Sequence, residues 1–185
     1  MKLLKKILFY TILISLVYFD LTCSKRRIKF DKPVIKGVRY VEVLSANIHD
    51  GYLQISQLAI KDSKGVNIAK NMPATASSIW PETSPSSAVD GLEESRDHPK
   101  GYISRGTMNE KFSVDLGADS DVSQVVYYNR RDCCQYRIIG ARINLIDANK
   151  NILGSYIFKT GDLKTIIDKF EKIDSPPQTS EDEDI

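Results

Sequence analysis

Histidine and cysteine are scarce in this chain of 185 residues, with two of the first and three of the second. His49 and His98 have no metal-ligand spacing between them, and each reads as a surface loop residue. There is no His-Glu-x-x-His, no Cys-x-x-Cys and no Walker-type glycine loop, which excludes the zinc-peptidase, dithiol and P-loop chemistries those patterns carry. Glu93, Glu94 and Asp97 lie in so polar a stretch that they read as solvated acids, not a catalytic pair. No internal repeat is present. Charge of one sign is also missing from the body. Residues 1–32 hold eight Lys/Arg against two Asp, the tail 175–185 holds four acids and no base, and 33–174 therefore carries eighteen of each. A neutral body argues against nucleic-acid binding, which needs a basic face.

A long hydrophobic run is absent too. The longest, residues 7–19, has about 13 residues, the size of a signal-peptide core and short for a full span. Extension to Thr22 would take in Asp20, costly in hydrocarbon unless it reaches the headgroups. Lys2, Lys5 and Lys6 precede the run and Lys25-Arg26-Arg27 comes after it, so basic flanks on both sides leave orientation open. Leu21-Thr22-Cys23 is a poor cleavage site and a poor lipoprotein box. Residues 1–24 are expected to be an uncleaved signal anchor, or else a signal peptide. The domain would then be exported and membrane-associated, and secreted if the signal is cleaved. Residues 25–36 read as a basic linker, with Pro33 against regular structure.

Short strand patterns dominate the chain beyond the linker. Apolar–polar alternation predicts strands over 38–44, 53–61, 112–117, 122–128, 138–147 and 152–159, separated by Gly/Asn/Asp turns. Residues 71–88 are Pro/Ser/Thr-rich and read as irregular, 87–91 as a turn closing a helix-like step, and 93–106 as polar loop. Leu163, Ile166, Ile167 and Phe170 recur at three to four residues and predict a short terminal helix over 161–174. The tail 175–185 has no apolar pattern and reads as disordered. Many short strands mean an all-β, antiparallel sandwich or barrel. In that class, ligand-bearing residues sit on loops at one end of a rigid body.

The richest loop is Asn129-Arg130-Arg131-Asp132-Cys133-Cys134-Gln135-Tyr136-Arg137. Three guanidinium groups supply planar donors suited to a polar ligand. Cys133 and Cys134 form a vicinal disulfide in an exporting compartment, or remain two reduced thiols in a reducing one. Trp80, between Ile79 and Pro81, either stacks on a sugar or plugs the end of the sandwich.

The ordered pieces Pro73-Ala74-Thr75-Ala76-Ser77-Ser78, Ala88-Val89-Asp90-Gly91, Val114-Asp115-Leu116-Gly117 and Ile139-Gly140-Ala141-Arg142 resemble the discoidin-like, galactose-binding-like domains. Arg130-x-Asp132-x4-Arg137, with the two cysteines inside, is similar to the signature of F-type (fucose-binding) lectins. The resemblance covers roughly residues 37–160. It implies a jelly-roll β-sandwich. Strands 38–43 and 53–60 look like those that usually close this fold, here placed first as in the circularly permuted form common in giant-virus proteins.

The resemblance also implies roles. Arg130 and Arg137 would donate to sugar hydroxyls, Asp132 would orient an arginine, and Cys133–Cys134 would be an apolar platform. Alternatively, the arginines and Asp132 form a buried network that holds the loop. The family's histidine position falls on Ile103. A structural calcium ion is implied at Ser87 and Leu92 (carbonyls), Asp90, Ser56 and Gln57. Gln57 stands where the family has Glu, which lowers ligand charge. The alternative for Asp90 is a turn-capping residue. The expected function is a non-enzymatic, membrane-anchored module that binds a glycan or glycoprotein. The alternative is a minor virion or envelope protein that uses its loops to contact viral coat proteins.

Overall fold

The computed structural model describes residues 33–46 and 50–172. The expected anchor at 1–24, most of the linker and the acidic tail lie outside these residues. Among the described residues no helix is long and apolar enough to cross a membrane.

The architecture is all-β. Among the described residues ten strands succeed one another: β1 (Ile35–Leu44), β2 (Gln54–Ile55), β3 (Gln57–Lys61), β4 (Ala74–Ala76), β5 (Tyr102–Ile103), β6 (Lys111–Val122), β7 (Gln124–Tyr128), β8 (Arg142–Ile146), β9 (Ile152–Ile157) and β10 (Lys164–Ile167). Two 3-10 turns, Pro85–Val89 and Gln135–Ile138, interrupt them. One antiparallel sheet runs β4-β6-β1-β8-β9, a second runs β10-β7-β3, and β2 and β5 form a short ribbon. β1 therefore lies at the centre of the larger sheet, between β6 and β8.

Alternation explains which face is buried. In β6, Phe112, Val114 and Leu116 point inward while Ser113 and Asp115 do not. β1 breaks the period: Val38, Val41 and Val43 are all buried. The extra residue is absorbed by an irregular register between Ile35 and Tyr40, next to Gly37 at φ +76°. From the second sheet, Leu58, Ile60, Val125, Tyr127 and Ile167 join the same core. Tyr127 packs edge-on to Phe158 at 4.9 Å between ring centres, and its hydroxyl donates to the Gln54 carbonyl. A buried phenol with its donor satisfied adds its ring to the core without an orphaned polar group.

Several boundaries differ from the sequence reading: β4 and β5 fall in stretches read as irregular or loop, and β6 runs on to Val122. The expected strand 53–61 is broken at Ser56, so its two halves serve different sheets. The expected strand 138–147 begins only at Arg142, because Gln135–Ile138 is a 3-10 turn. The sandwich also exceeds 37–160. It begins inside the expected linker, at Ile35, and its strand pairing extends to Ser155↔Glu171. The expected terminal helix over 161–174 is instead strand β10, paired with Val125–Tyr128 of β7. Thr165-Ile166-Ile167 is β-branched throughout, which favours extended backbone. Only Ile167 is buried; Leu163 and Ile166 are exposed.

Candidate functional site

The site is built where the β2–β5 ribbon meets the loop after β7. Asn129 comes directly after β7 and is fully buried. Its side chain donates to Gln135 O at 3.0 Å and accepts from the Arg130 amide at 2.9 Å. Gln54, on β2, donates to the Cys134 carbonyl at 2.8 Å. Gln135 donates to the carbonyls of Arg130 and Arg131 at 3.1 and 2.9 Å. Three side-chain amides thus satisfy the backbone of a loop that has no sheet partner. Cys133 and Cys134 are joined as a disulfide, with Cys134 in the left-handed region at φ +65°.

On this frame Arg130, Arg137, His98, Ile103, Tyr52 and Trp80 line a cavity of about 270 Å³. The two motif arginines are mostly covered and each is oriented by its own carboxylate. Arg130 grips Asp132 through Nε–Oδ1 and Nη2–Oδ2, both at 2.6 Å. This bidentate pair, with the His98 amide also donating to Asp132, drives the Asp132 carboxyl down to about 2. Arg137 instead pairs with Asp50, at 2.7 Å from Nε and 2.6 Å from Nη2, and lies over the Tyr52 ring at 4.3 Å. Arg131, the third guanidinium, turns away to Asp97. The alternative of one Arg-Asp-Arg network is therefore not what forms: each arginine has a separate acid.

The remaining wall is apolar. Trp80 is 40 % exposed and meets Tyr52 edge-on at 6.0 Å. The segment that leads into it is tied by Glu110, whose buried carboxylate accepts from Ser77, from Ser78 at 2.6 Å and from Thr107 at 2.7 Å. Burial alone would raise the Glu110 carboxyl; these hydrogen bonds outweigh it and hold the group below the usual range. The Trp80 backbone N–H then donates to Ile103 O at 2.8 Å.

His98, read from the sequence as a surface loop residue, does lie in a loop but is half-buried and lines the cavity. The segment that brings in Ile103 also brings in His98, and both line the cavity. His98 Nε2 is buried with no hydrogen-bond partner among the described residues. An imidazole therefore lines the cavity five residues before Ile103 in the chain. His49 lies outside the described residues. The disulfide is part of the same loop, but its cysteines are not among the residues that line the cavity.

Four of the five positions assigned to calcium, Ser56, Gln57, Ser87 and Asp90, converge, but around a side chain. The buried Arg96 guanidinium donates to Asp90 Oδ2 at 2.7 Å, to Ser87 O at 2.6 Å, to Gln57 Oε1 at 3.2 Å and to Ser56 O. Leu92 N–H donates to Asp90 Oδ1 at 2.9 Å, the expected turn cap, and the Leu92 carbonyl accepts from Glu94. The set contains one carboxylate and its oxygens already serve a cation, so it does not fit a calcium ion. Among the described residues no group of three or more His, Cys, Asp or Glu gathers at metal-binding distance. Asp50, Gln54 and Tyr52 carried no signal in the sequence, because their partners Arg137 and Cys134 lie far away along the chain; Arg96 carried none because it stands in a polar loop stretch with no motif around it.

A comparison with curated proteins finds no match. Residues 87–174 match the family described as NedA-like, galactose-binding domain. With that match and the all-β sandwich, the discoidin-like, galactose-binding-like resemblance read from the sequence stands.

Proposed function

We propose that this chain is a non-enzymatic carbohydrate-binding module, with the cavity at Arg130, Arg137 and His98 as its glycan site. One observation carries the reading: two oriented guanidinium groups and an imidazole line a small cavity together with the part-exposed Trp80. A sugar offers hydroxyl oxygens to such donors and C–H faces to such rings. Fixed donors beside an apolar wall are the usual composition of a small-ligand site. The carboxylates Asp132 and Asp50 keep the two arginines aimed. The disulfide acts as a stiffener of the loop and not as the surface the sugar lies on.

The N-terminal apolar run between basic flanks supports an exported, membrane-associated placement for a glycan or glycoprotein partner. The rival reading is a minor virion or envelope protein that contacts coat proteins. What favours it is that both arginines already have acid partners within the chain. A glycan array separates the two. Binding that is lost in Arg137→Ala and in His98→Ala supports the lectin reading. No signal on any sugar, with capture of a coat protein, supports the rival.

A further inference from the structure

We infer that Arg96 is an internal cation that does the work of a structural metal ion, so that the glycan site is held together without calcium. The geometry is specific. One guanidinium draws together Asp90 and Ser87, at the end of the turn Pro85–Val89, with Ser56 and Gln57, at the β2–β3 junction. Those segments are distant in sequence, with Arg96 40 positions beyond Ser56. The Arg96 side chain is 6 % exposed, so the charge is desolvated and its partners are fixed. Its backbone is tied as well: the amide donates to Ser56 Oγ at 3.1 Å, and the carbonyl accepts from Ser56 Oγ at 3.1 Å and from Arg131 N–H at 3.0 Å.

The charge balance fits a single positive group. Asp90 is the one carboxylate in the set; the other three acceptors are carbonyl or amide oxygens. A divalent ion bound by so few charges is held weakly, because calcium sites draw affinity from ligand charge and count. A guanidinium matches one carboxylate in charge and reaches several oxygens through its planar fork. Gln57 belongs to the same economy: its amide oxygen accepts from Arg96, where a second carboxylate would add a buried negative charge.

The consequence reaches the cavity. Two residues beyond Arg96, His98 lines it, and between them Asp97 pairs with Arg131 of the arginine loop at 2.7 Å. Arg96 is thus a positioning residue for the segment that delivers the imidazole. This last step rests on the glycan-site reading; the metal-independence does not.

The test compares thermal unfolding of the intact chain in EDTA and in excess calcium chloride. The Tm should differ by less than about 1 °C, since a ligand that does not bind the native state cannot stabilise it. Arg96→Met, which keeps the apolar stem, should lower Tm by about 5 °C or more through the unpaired Asp90 and its neighbours. A Tm raised by calcium, calcium uptake by calorimetry, or an Arg96→Met protein as stable as the parent would each overturn the inference. If Arg96→Met does not fold, the parent protein in the two buffers still decides. Glycan-array signal should be equal in EDTA and calcium. Binding in calcium only would sink the inference, whereas no binding in either buffer would sink the glycan reading and leave the thermal result standing.

Discussion

Asp132 and Arg130 meet through two parallel hydrogen bonds, and that contact makes the charge state of the loop measurable. Protonating Asp132 requires giving up both bonds, so its folded carboxyl titrates at about 2, against roughly 3.9 for an unperturbed aspartate. The depressed value sets the sign. The pair favours the folded chain fully above the ordinary aspartate range, and the contribution is lost as pH falls through the folded value. A carboxyl-detected NMR titration should therefore find the Asp132 midpoint at about 2. In Arg130→Gln it should rise toward about 3.9, while the His98 amide still donates. An ordinary midpoint in the parent protein would mean that the bidentate pair does not persist in solution. Arg130, Asp132 and Arg137 were legible in the sequence because they sit close together in one motif. Their partners were not. Asp50 lies 87 residues from Arg137, and nothing in local periodicity says which distant acid the fold will lay beside a guanidinium. His98 escapes a rule of fixed spacing. It lines the cavity on the same segment, residues 93–103, that brings in Ile103. At the cavity, the lectin reading predicts a graded response in affinity. Arg137→Lys keeps charge but loses the planar fork and the stack on Tyr52, so binding to an array-positive glycan should weaken by about tenfold or more, as loss of a charge-assisted hydrogen bond implies. Unchanged affinity would remove Arg137 from the site.

The strand pattern of the chain was largely readable from alternation, and the failures fall where two periods fit the same residues. Leu163, Ile166, Ile167 and Phe170 fit a helical spacing, and no competing local signal excludes it. What decides is tertiary: β7 offers an unpaired edge, and β10 takes it over four residues. A β-branched run on that edge makes the extended choice the stable one. The two conformations make opposite demands on neighbouring side chains. In the strand, Ile167 is 1 % exposed and belongs to the core, while Ile166 is 54 % exposed. Urea unfolding should therefore separate two adjacent isoleucines. Ile167→Ala should cost about 2–5 kcal/mol, the range for a large core side chain cut to a methyl. Ile166→Ala should stay within about 0.5 kcal/mol, as for surface changes. Equal costs would favour an amphipathic helix that buries both. The break at Ser56 was invisible for a related reason. Alternation describes which face a residue takes, and it is silent on where one strand leaves a sheet to join the next. That break matters for function, because it puts Gln54 under the arginine loop and leaves Ser56 and Gln57 for Arg96.

At the scale of the molecule the informative quantity is charge balance. The eighteen basic and eighteen acidic residues of 33–174 make a neutral body. The same equality is repeated at the arginines that line the cavity, Arg130 paired with Asp132 and Arg137 with Asp50. A polyanion that approaches such a surface finds no excess positive field and releases few counterions on binding. A neutral glycan, by contrast, depends on short-range hydrogen bonds and ring contacts, which ionic screening barely alters. Affinity for the preferred glycan should then change by less than about twofold between about 50 and 500 mM NaCl, because screening acts on long-range charge and not on directional contacts. Titration of one array-positive oligosaccharide across that range measures it. A fall of a decade or more, of the kind seen when several phosphates or sulfates are neutralised together, would point to an anionic polymer held by the arginines as point charges. In that outcome Asp50 and Asp132 would be obstacles to binding, and Asp50→Asn would strengthen it. The neutral-glycan reading requires the opposite, because Asp50 fixes the direction of the Arg137 donors and Asp50→Asn lets them swing.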